Sequence, residues 1–203
     1  MLTIWSRLNS HNVKKVAWFA EELGVPYVRH DVGGKFGFTE AYRALNPNAL
    51  IPTIEHDGLV LWESNAILRY LAARFPEAGF WPADPAARAV GDKWMDWQFT
   101  YADAQRGAFL NLVRRGPDDR KPDEIAAAVA ACTKLLPILD AALAKAPWLS
   151  GESFGIADIP MGVYVHSWFT LPLDRPDFPH VAAWYARLQS RPGYAAQVMI
   201  PLS

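Results

Sequence analysis

The run Phe75-Pro76-Glu77-Ala78-Gly79-Phe80-Trp81-Pro82-Ala83-Asp84-Pro85 separates two stretches of chain with different periodicities. Three prolines and a glycine in so short a span interrupt both helix and strand, as expected of a linker between separately patterned units. Before it, short strand and helix signals alternate. After it, only helical spacing recurs. The expected organisation is an α/β domain over residues 1–76, a linker over 77–85 and an all-helical domain over 86–203.

In the first part, Leu2-Thr3-Ile4-Trp5 is strand-like. Val13, Val16, Ala17, Ala20 and Leu23 then recur every three or four residues, with Asn12 as an N-cap and Gly24-Val25-Pro26 as the stop. A second strand is expected over Tyr27 to Asp31. After the flexible Gly33-Gly34-Lys35-Phe36-Gly37, a short helix over Phe38 to Leu45 ends at Asn46-Pro47-Asn48. Pro52 to Glu55 and Leu59 to Trp62 flank an Asp57-Gly58 turn and read as a hairpin. A helix follows from Ser64 to Arg74. The order is β-α-β-α-β-β-α; the first strand pair needs a crossover and is expected to be parallel, the last antiparallel.

Beyond the linker, one long helix is expected from Ala86 to Arg115, with Trp94, Trp97 and Tyr101 as an aromatic stripe. A second runs from Glu124 to Lys145 through Val129, Cys132, Leu136, Leu139 and Leu143, and Pro137 predicts a kink or break in it. Further helices are expected over Ile156 to Trp168, Pro179 to Gln189 and a short stretch after Pro192.

Composition excludes several classes. The single cysteine, Cys132, rules out an intrachain disulfide, a CxxC redox pair and a cysteine-rich metal site. The five histidines lack close metal-ligand spacing, so no metal is expected. With 20 Lys+Arg against 21 Asp+Glu, no basic stripe marks a nucleic-acid binder. The start of the chain lacks the apolar segment of a signal peptide, and no uninterrupted apolar run approaches the roughly 20 residues of a membrane span. A cytoplasmic protein without membrane contact is the expectation.

Three strand-to-helix or loop-to-strand junctions carry the chemistry. Ser10-His11-Asn12 opens the first helix, whose free amides and dipole favour an anion; Ser10 and Asn12 can equally serve as caps alone. Ile51-Pro52 precedes the third strand, where a cis bond would turn the Ile51 backbone toward the tip of the first helix, and a trans turn is the plainer alternative. At Glu63-Ser64, the serine can offer hydroxyl and amide to a carboxylate while the glutamate attracts an ammonium, and capping explains Ser64 equally well. An amino-acid head group would satisfy both.

Taken together, Ser10-His11-Asn12-Val13-Lys14-Lys15-Val16, Gly33-Gly34-Lys35-Phe36-Gly37, Leu45-Asn46-Pro47-Asn48, Leu50-Ile51-Pro52-Thr53 and Glu63-Ser64-Asn65-Ala66-Ile67 resemble the cytosolic glutathione S-transferases, particularly bacterial members near the theta and beta classes. The resemblance spans the whole chain. It implies a thioredoxin-like first domain, a helical second domain and glutathione as co-substrate. Ser10 would stabilise the thiolate, with Asn12 assisting or substituting. Ile51 would pair its backbone with the cysteinyl part of glutathione, which requires Pro52 to be cis; Glu63 and Ser64 would hold the γ-glutamyl ammonium and carboxylate; Lys35 would reach the glycyl carboxylate. Trp5, Leu8, Trp94, Trp97, Tyr101 and Met199 are candidates for lining an apolar electrophile site, with core packing the alternative for each tryptophan.

The resemblance further implies transferase activity toward an apolar electrophile and a homodimer. A glutathione-dependent peroxidase or disulfide-bond reductase is the enzymatic alternative, and a non-catalytic binding or structural protein the other. The family's Ser/Thr-x-x-Asp capping box here reads Gly155-Ile156-Ala157-Asp158, with Phe154 and Ile159 as its hydrophobic staple. On sequence grounds, restoring the hydroxyl by Gly155→Thr is expected to stabilise slightly. Cys132 is expected to be a buried structural residue.

Overall fold

The computed structural model describes all 203 residues. Its first part runs β1 (Leu2–Ser6), α1 (His11–Glu22), β2 (Tyr27–Asp31), α2 (Glu40–Leu45), β3 (Thr53–His56), β4 (Leu59–Trp62) and α3 (Ser64–Arg74). The strands form one sheet in the order β2-β1-β3-β4. β1 pairs in parallel with β2, Ile4 opposite Arg29, and antiparallel with β3, Ile4 opposite Ile54; β3 and β4 are antiparallel. Both expected pairings are therefore present. Leu2, Ile4 and Ile54 point from the sheet into the core with Ile67, Leu68 and Leu71 of α3.

The second part is helical: α4 (Pro85–Phe109), α5 (Pro122–Leu143), α6 (Asp158–Thr170), α7 (Pro179–Gln189) and α8 (Pro192–Gln197). α6 is buried nearly all round, and α1 packs against it and α8 as well as against α3. Trp18, Phe19, Trp168, Trp184 and Tyr194 consequently belong to one core shared by both parts. A thioredoxin-like unit followed by a helical bundle is the architecture.

Four local details depart from expectation. The long helix ends at Phe109 and passes into a π-type turn over Leu110–Arg114. Buried Asn111 explains the widening: its Nδ2 donates to the Gly107 carbonyl at 2.8 Å, while its Oδ1 accepts from the Lys121 amide. α5 continues through Pro137 without a break, because that proline lies on the exposed side, where the carbonyl it leaves unpaired can be hydrated. α5 is also long and apolar enough, by length and composition, to cross a membrane; in the fold its Ala128, Cys132, Leu136, Leu139 and Leu143 stripe is buried and most of its remaining surface is not.

The fourth concerns Gly155. Asp158 does bond back to its amide, Oδ2 accepting from Gly155 N at 3.2 Å. A Cβ at Gly155, however, would stand 2.7 Å from the Phe80 carbonyl oxygen and 2.7 Å from Ser150 Oγ. The expected gain from Gly155→Thr is overturned: backbone from the linker occupies the space a hydroxyl would need.

Candidate active site

Two helix starts and one loop converge on a narrow cleft lined by Asn12, Asn46, Asn48, Leu50, Ile51, Pro52, Glu63 and Ser64. α1 delivers Asn12, one residue into the helix. Ser10 is its half-buried N-cap: its carbonyl accepts from Lys14 N at 2.9 Å, but its side chain makes no capping hydrogen bond. The Asn12 side-chain oxygen is buried with no partner in the protein. The expected N-cap role of Asn12 is thus overturned, because the helix starts at His11 with Ser10 as its cap, and a buried polar atom left without a partner inside the first turn is unusual.

The loop before β3 is stapled from below. Tyr42 of α2 donates its hydroxyl to the Leu50 carbonyl and lies 2.8 Å from Thr53 Oγ1, and Asn46 Nδ2 reaches the same two groups at 3.0 and 3.1 Å. Held between them, the Ile51-Pro52 bond is cis.

α3 delivers the third side. Glu63, its N-cap, sits at φ 73°, a left-handed conformation that costs a non-glycine residue about 1–2 kcal/mol. Its carboxylate is exposed, whereas Ser64 beside it is buried. Lys15 Nζ lies behind, 3.4 Å from Ser64 Oγ. Two helix N-termini and a buried ammonium make this cleft electropositive, and Glu63 adds one negative group at its rim.

Asn12 also borders a second cavity of about 270 Å³, lined by His11, Phe99, Ala102, Asp103, Gln105, Arg106, Phe109 and Tyr164. The His11 ring stacks on Tyr164, centroids 4.7 Å apart and 13° from parallel, and meets the edge of Phe109 at 4.7 Å. Its Nε2 is 2.7 Å from Ser167 Oγ. Burial, reinforced by Lys14 and Lys15, lowers its pKa to about 3, so the imidazole is a neutral aromatic wall at physiological pH. The spacing of the histidines gives no sign of this role for His11. Phe99, Ala102, Arg106 and Phe109 form an α4 stripe offset from the Trp94-Trp97-Tyr101 stripe, which is the signal that could have found them.

The other candidate residues lie elsewhere. Lys35 is exposed over the Phe36 ring and shares with Arg7, Leu8 and Arg29 a hollow separate from the Asn12 cleft. Trp5, half-buried on β1, donates to Glu55 Oε1 at 2.5 Å and packs against His30. Trp94 and Trp97 face a groove between α4 and α5, with Val90, Ile138 and Trp148, and Tyr101 is fully buried in the core. Met199 is exposed beyond α8. None of these six aromatic and aliphatic candidates lines the cavity beside Asn12. No group of metal-ligating side chains occurs in the structure.

The cleft thus joins a cis-proline loop to two helix starts, on a thioredoxin-like unit capped by a helical bundle. Two family models match the chain: glutathione S-transferase, N-terminal domain, over residues 9–74, and glutathione S-transferase, C-terminal domain, over 122–187. Glutathione S-transferase GstB of Escherichia coli K12 is 42% identical over the full length of both chains. The disulfide-bond oxidoreductase YfcG of the same organism is 31% identical, covering 89% of this chain and 87% of its own. The theta class glutathione S-transferase of Xanthomonas axonopodis pv. citri, solved with glutathione bound, is 51% identical with a TM-score of 0.95, over 100% of this chain and 99% of that one. The chain belongs to the glutathione S-transferase family.

Proposed function

We propose that the protein is a glutathione transferase in which Asn12 stands between the glutathione cleft and the electrophile cavity. The observation that carries this reading is the sharing of Asn12 by the two cavities. The glutathione-bound Xanthomonas relative supports the ligand. The γ-glutamyl carboxylate goes to the start of α3 at Ser64 and its ammonium to Glu63; the cysteinyl backbone goes to Ile51 beside Pro52; the glycyl carboxylate extends toward Lys35. Residues 1–76 carry these contacts, 77–85 link the domains, and 86–203 supply the second cavity.

Asn12 Nδ2 and the first amides of α1 then act on the glutathione sulfur, with Ser10 as the competing hydroxyl donor. Neither side chain is a base; each lowers the thiol pKa by donating to the thiolate, and the displaced proton leaves to solvent. Each unit of lowering corresponds to about 1.4 kcal/mol. The thiolate lone pair forms a C–S bond to an electrophile held among His11, Phe99, Phe109 and Tyr164, and the leaving group departs with its electron pair. Those ring faces favour a planar apolar co-substrate, with Arg106 available to an anionic substituent.

Glutathione binding by calorimetry, followed by conjugation of an aryl halide, tests this reading. No binding would sink it. Binding with organic-hydroperoxide or disulfide reduction in place of conjugation would favour the reductase reading, which the YfcG relative supports. In either case the substrate brings the sulfur, since Cys132 is buried within α5. The exposed Leu59, Val60 and Trp62 of β4 and Val90 of α4 support a twofold dimer, which sedimentation at the monomer mass of 22.6 kDa would refute. A cytoplasmic location follows from dependence on the reduced glutathione pool.

A further inference from the structure

One turn into α1, Lys15 is completely buried. Its ammonium donates to Gln98 Oε1 of α4 at 2.5 Å, and it lies 3.4 Å from both Ser64 Oγ and Asn65 Oδ1 at the start of α3. All three partners are neutral. Burying an ammonium among neutral groups is costly, and an apolar side chain of the same length could fill the space without that cost.

The geometry gives the charge a use. An ammonium only donates, so Ser64 Oγ and Asn65 Oδ1 both accept from it. Asn65 Nδ2 is thereby turned to the Met95 carbonyl, 2.7 Å away. The Ser64 hydroxyl hydrogen is likewise turned away from Lys15, and Ser64 lines the cleft. We propose that Lys15 is a positioning residue for the ligand carboxylate, fixing the Ser64 hydroxyl as a donor into the cleft and supplying the buried countercharge behind it. This rests on reading the cleft as the γ-glutamyl subsite.

A proton count follows. Burial lowers the Lys15 pKa to about 7, opposed by Glu63. Of the other titratable and charged groups on the helices packed against it, His11 lies close on α1 and the Tyr164 ring of α6 is centred 5.6 Å from its Nζ; the rest are Lys14 on α1, Arg69 of α3 paired with Asp92 and Asp96 of α4, Asp103 and Arg106 further along α4, and His166 of α6. His11 and His166 are held near 3 and 4, and Tyr164 near 12. Lys14, lowered to about 8, donates instead to the Val198 carbonyl at 3.0 Å. A carboxylate arriving at Ser64 favours the charged ammonium. Binding therefore raises the Lys15 pKa and takes up protons above about pH 7, and affinity falls as pH rises through that range.

Titration calorimetry with S-methylglutathione, whose sulfur carries no titratable proton, gives the proton count when run at about pH 8 in buffers of different ionisation enthalpy. The full-length parent is expected to take up roughly half a proton or more beyond Lys15→Arg, whose guanidinium stays charged throughout. That difference cancels any contribution from the ligand's own amine. Lys15→Met is expected to bind about tenfold more weakly, with Lys15→Arg recovering most of the loss. Equal proton counts in the parent and Lys15→Arg, or a Lys15→Met affinity equal to the parent's, overturn the proposal while leaving the glutathione reading intact. A parent that does not bind S-methylglutathione overturns both. Should Lys15→Met not fold, the parent and Lys15→Arg counts decide alone.

Discussion

Arg191, at the start of α8, grips Glu22 at the end of α1 by two points: Nε is 2.9 Å from Oε1 and Nη2 is 2.6 Å from Oε2. The two residues are 169 positions apart, and the pair clamps the C-terminal helix onto the first domain. Trp18 Nε1 also donates to Glu22 Oε1 at 2.7 Å, and the Arg191 guanidinium lies 3.7 Å from the centre of the Phe154 ring. The Glu22 side chain is only 9% exposed, so water screens the contact little.

Removing one partner should therefore cost more than an ordinary surface pair. Arg191→Met is expected to lower unfolding stability by about 1–3 kcal/mol, with a double-mutant cycle against Glu22→Gln giving a coupling that salt weakens only slightly. Urea denaturation measures it; a coupling indistinguishable from zero would reduce the clamp to a surface contact.

Gly155→Thr is expected to destabilise by about 1–3 kcal/mol, because its Cβ must displace the Phe80 carbonyl or Ser150. Gly155→Ala, carrying the same Cβ and no hydroxyl, should lose a comparable amount. Equilibrium denaturation showing either variant as stable as the parent would contradict the close packing.

Asn12→Ala is expected to raise the pKa of bound glutathione and cut turnover by about 10²-fold, with a smaller change in glutathione affinity. Ser10→Ala, which removes a hydroxyl outside both cavities, should have the lesser effect. Ultraviolet titration of the bound thiolate separates them. If Ser10→Ala alone shifts the thiol, the serine is the donor.

Acid should weaken the fold through His11 and His166. Their pKa values are lowered by burial to about 3 and 4, so between there and the ordinary value of 6.5 the unfolded chain binds more protons than the folded one. Stability then rises with pH across that window and is lost as pH falls from 6.5, each group contributing at most about 1.4 kcal/mol per pH unit. Denaturation midpoints measured from pH 7 to pH 4 should fall, less steeply in His166→Phe. A flat profile would show that neither imidazole is kept neutral by the fold.

Much of this molecule is legible locally. Asp57-Gly58 between two apolar strands dictates a hairpin, the 3.6-residue spacing from Val13 to Leu23 dictates α1, and the proline-rich run from Pro76 to Pro85 allows only a single 3-10 turn, Pro76–Ala78, before α4 starts. The buried state of Cys132 follows from its place on an apolar stripe. Such features depend on neighbours a few positions away, and their energetics change little with the rest of the chain.

Other features depend on what the fold brings alongside. Trp94, Trp97 and Tyr101 mark a face of α4 by spacing, but spacing does not say which neighbour that face meets; packing turns them toward α5 and the core and leaves Phe99 and Phe109 beside Asn12. Gly155 matches a capping position that tolerates a hydroxyl, until the Phe80 carbonyl arrives from 75 residues away in sequence. Lys15 carries no sign of burial in a run that reads Val13-Lys14-Lys15-Val16, and becomes a buried charge only when α3 and α4 close over it. The residue types at the two helix starts are those that suit an anion or a helix cap; the tertiary structure alone decides which side chains surround them, because burial and close approach are set by contacts between elements that the chain order leaves far apart.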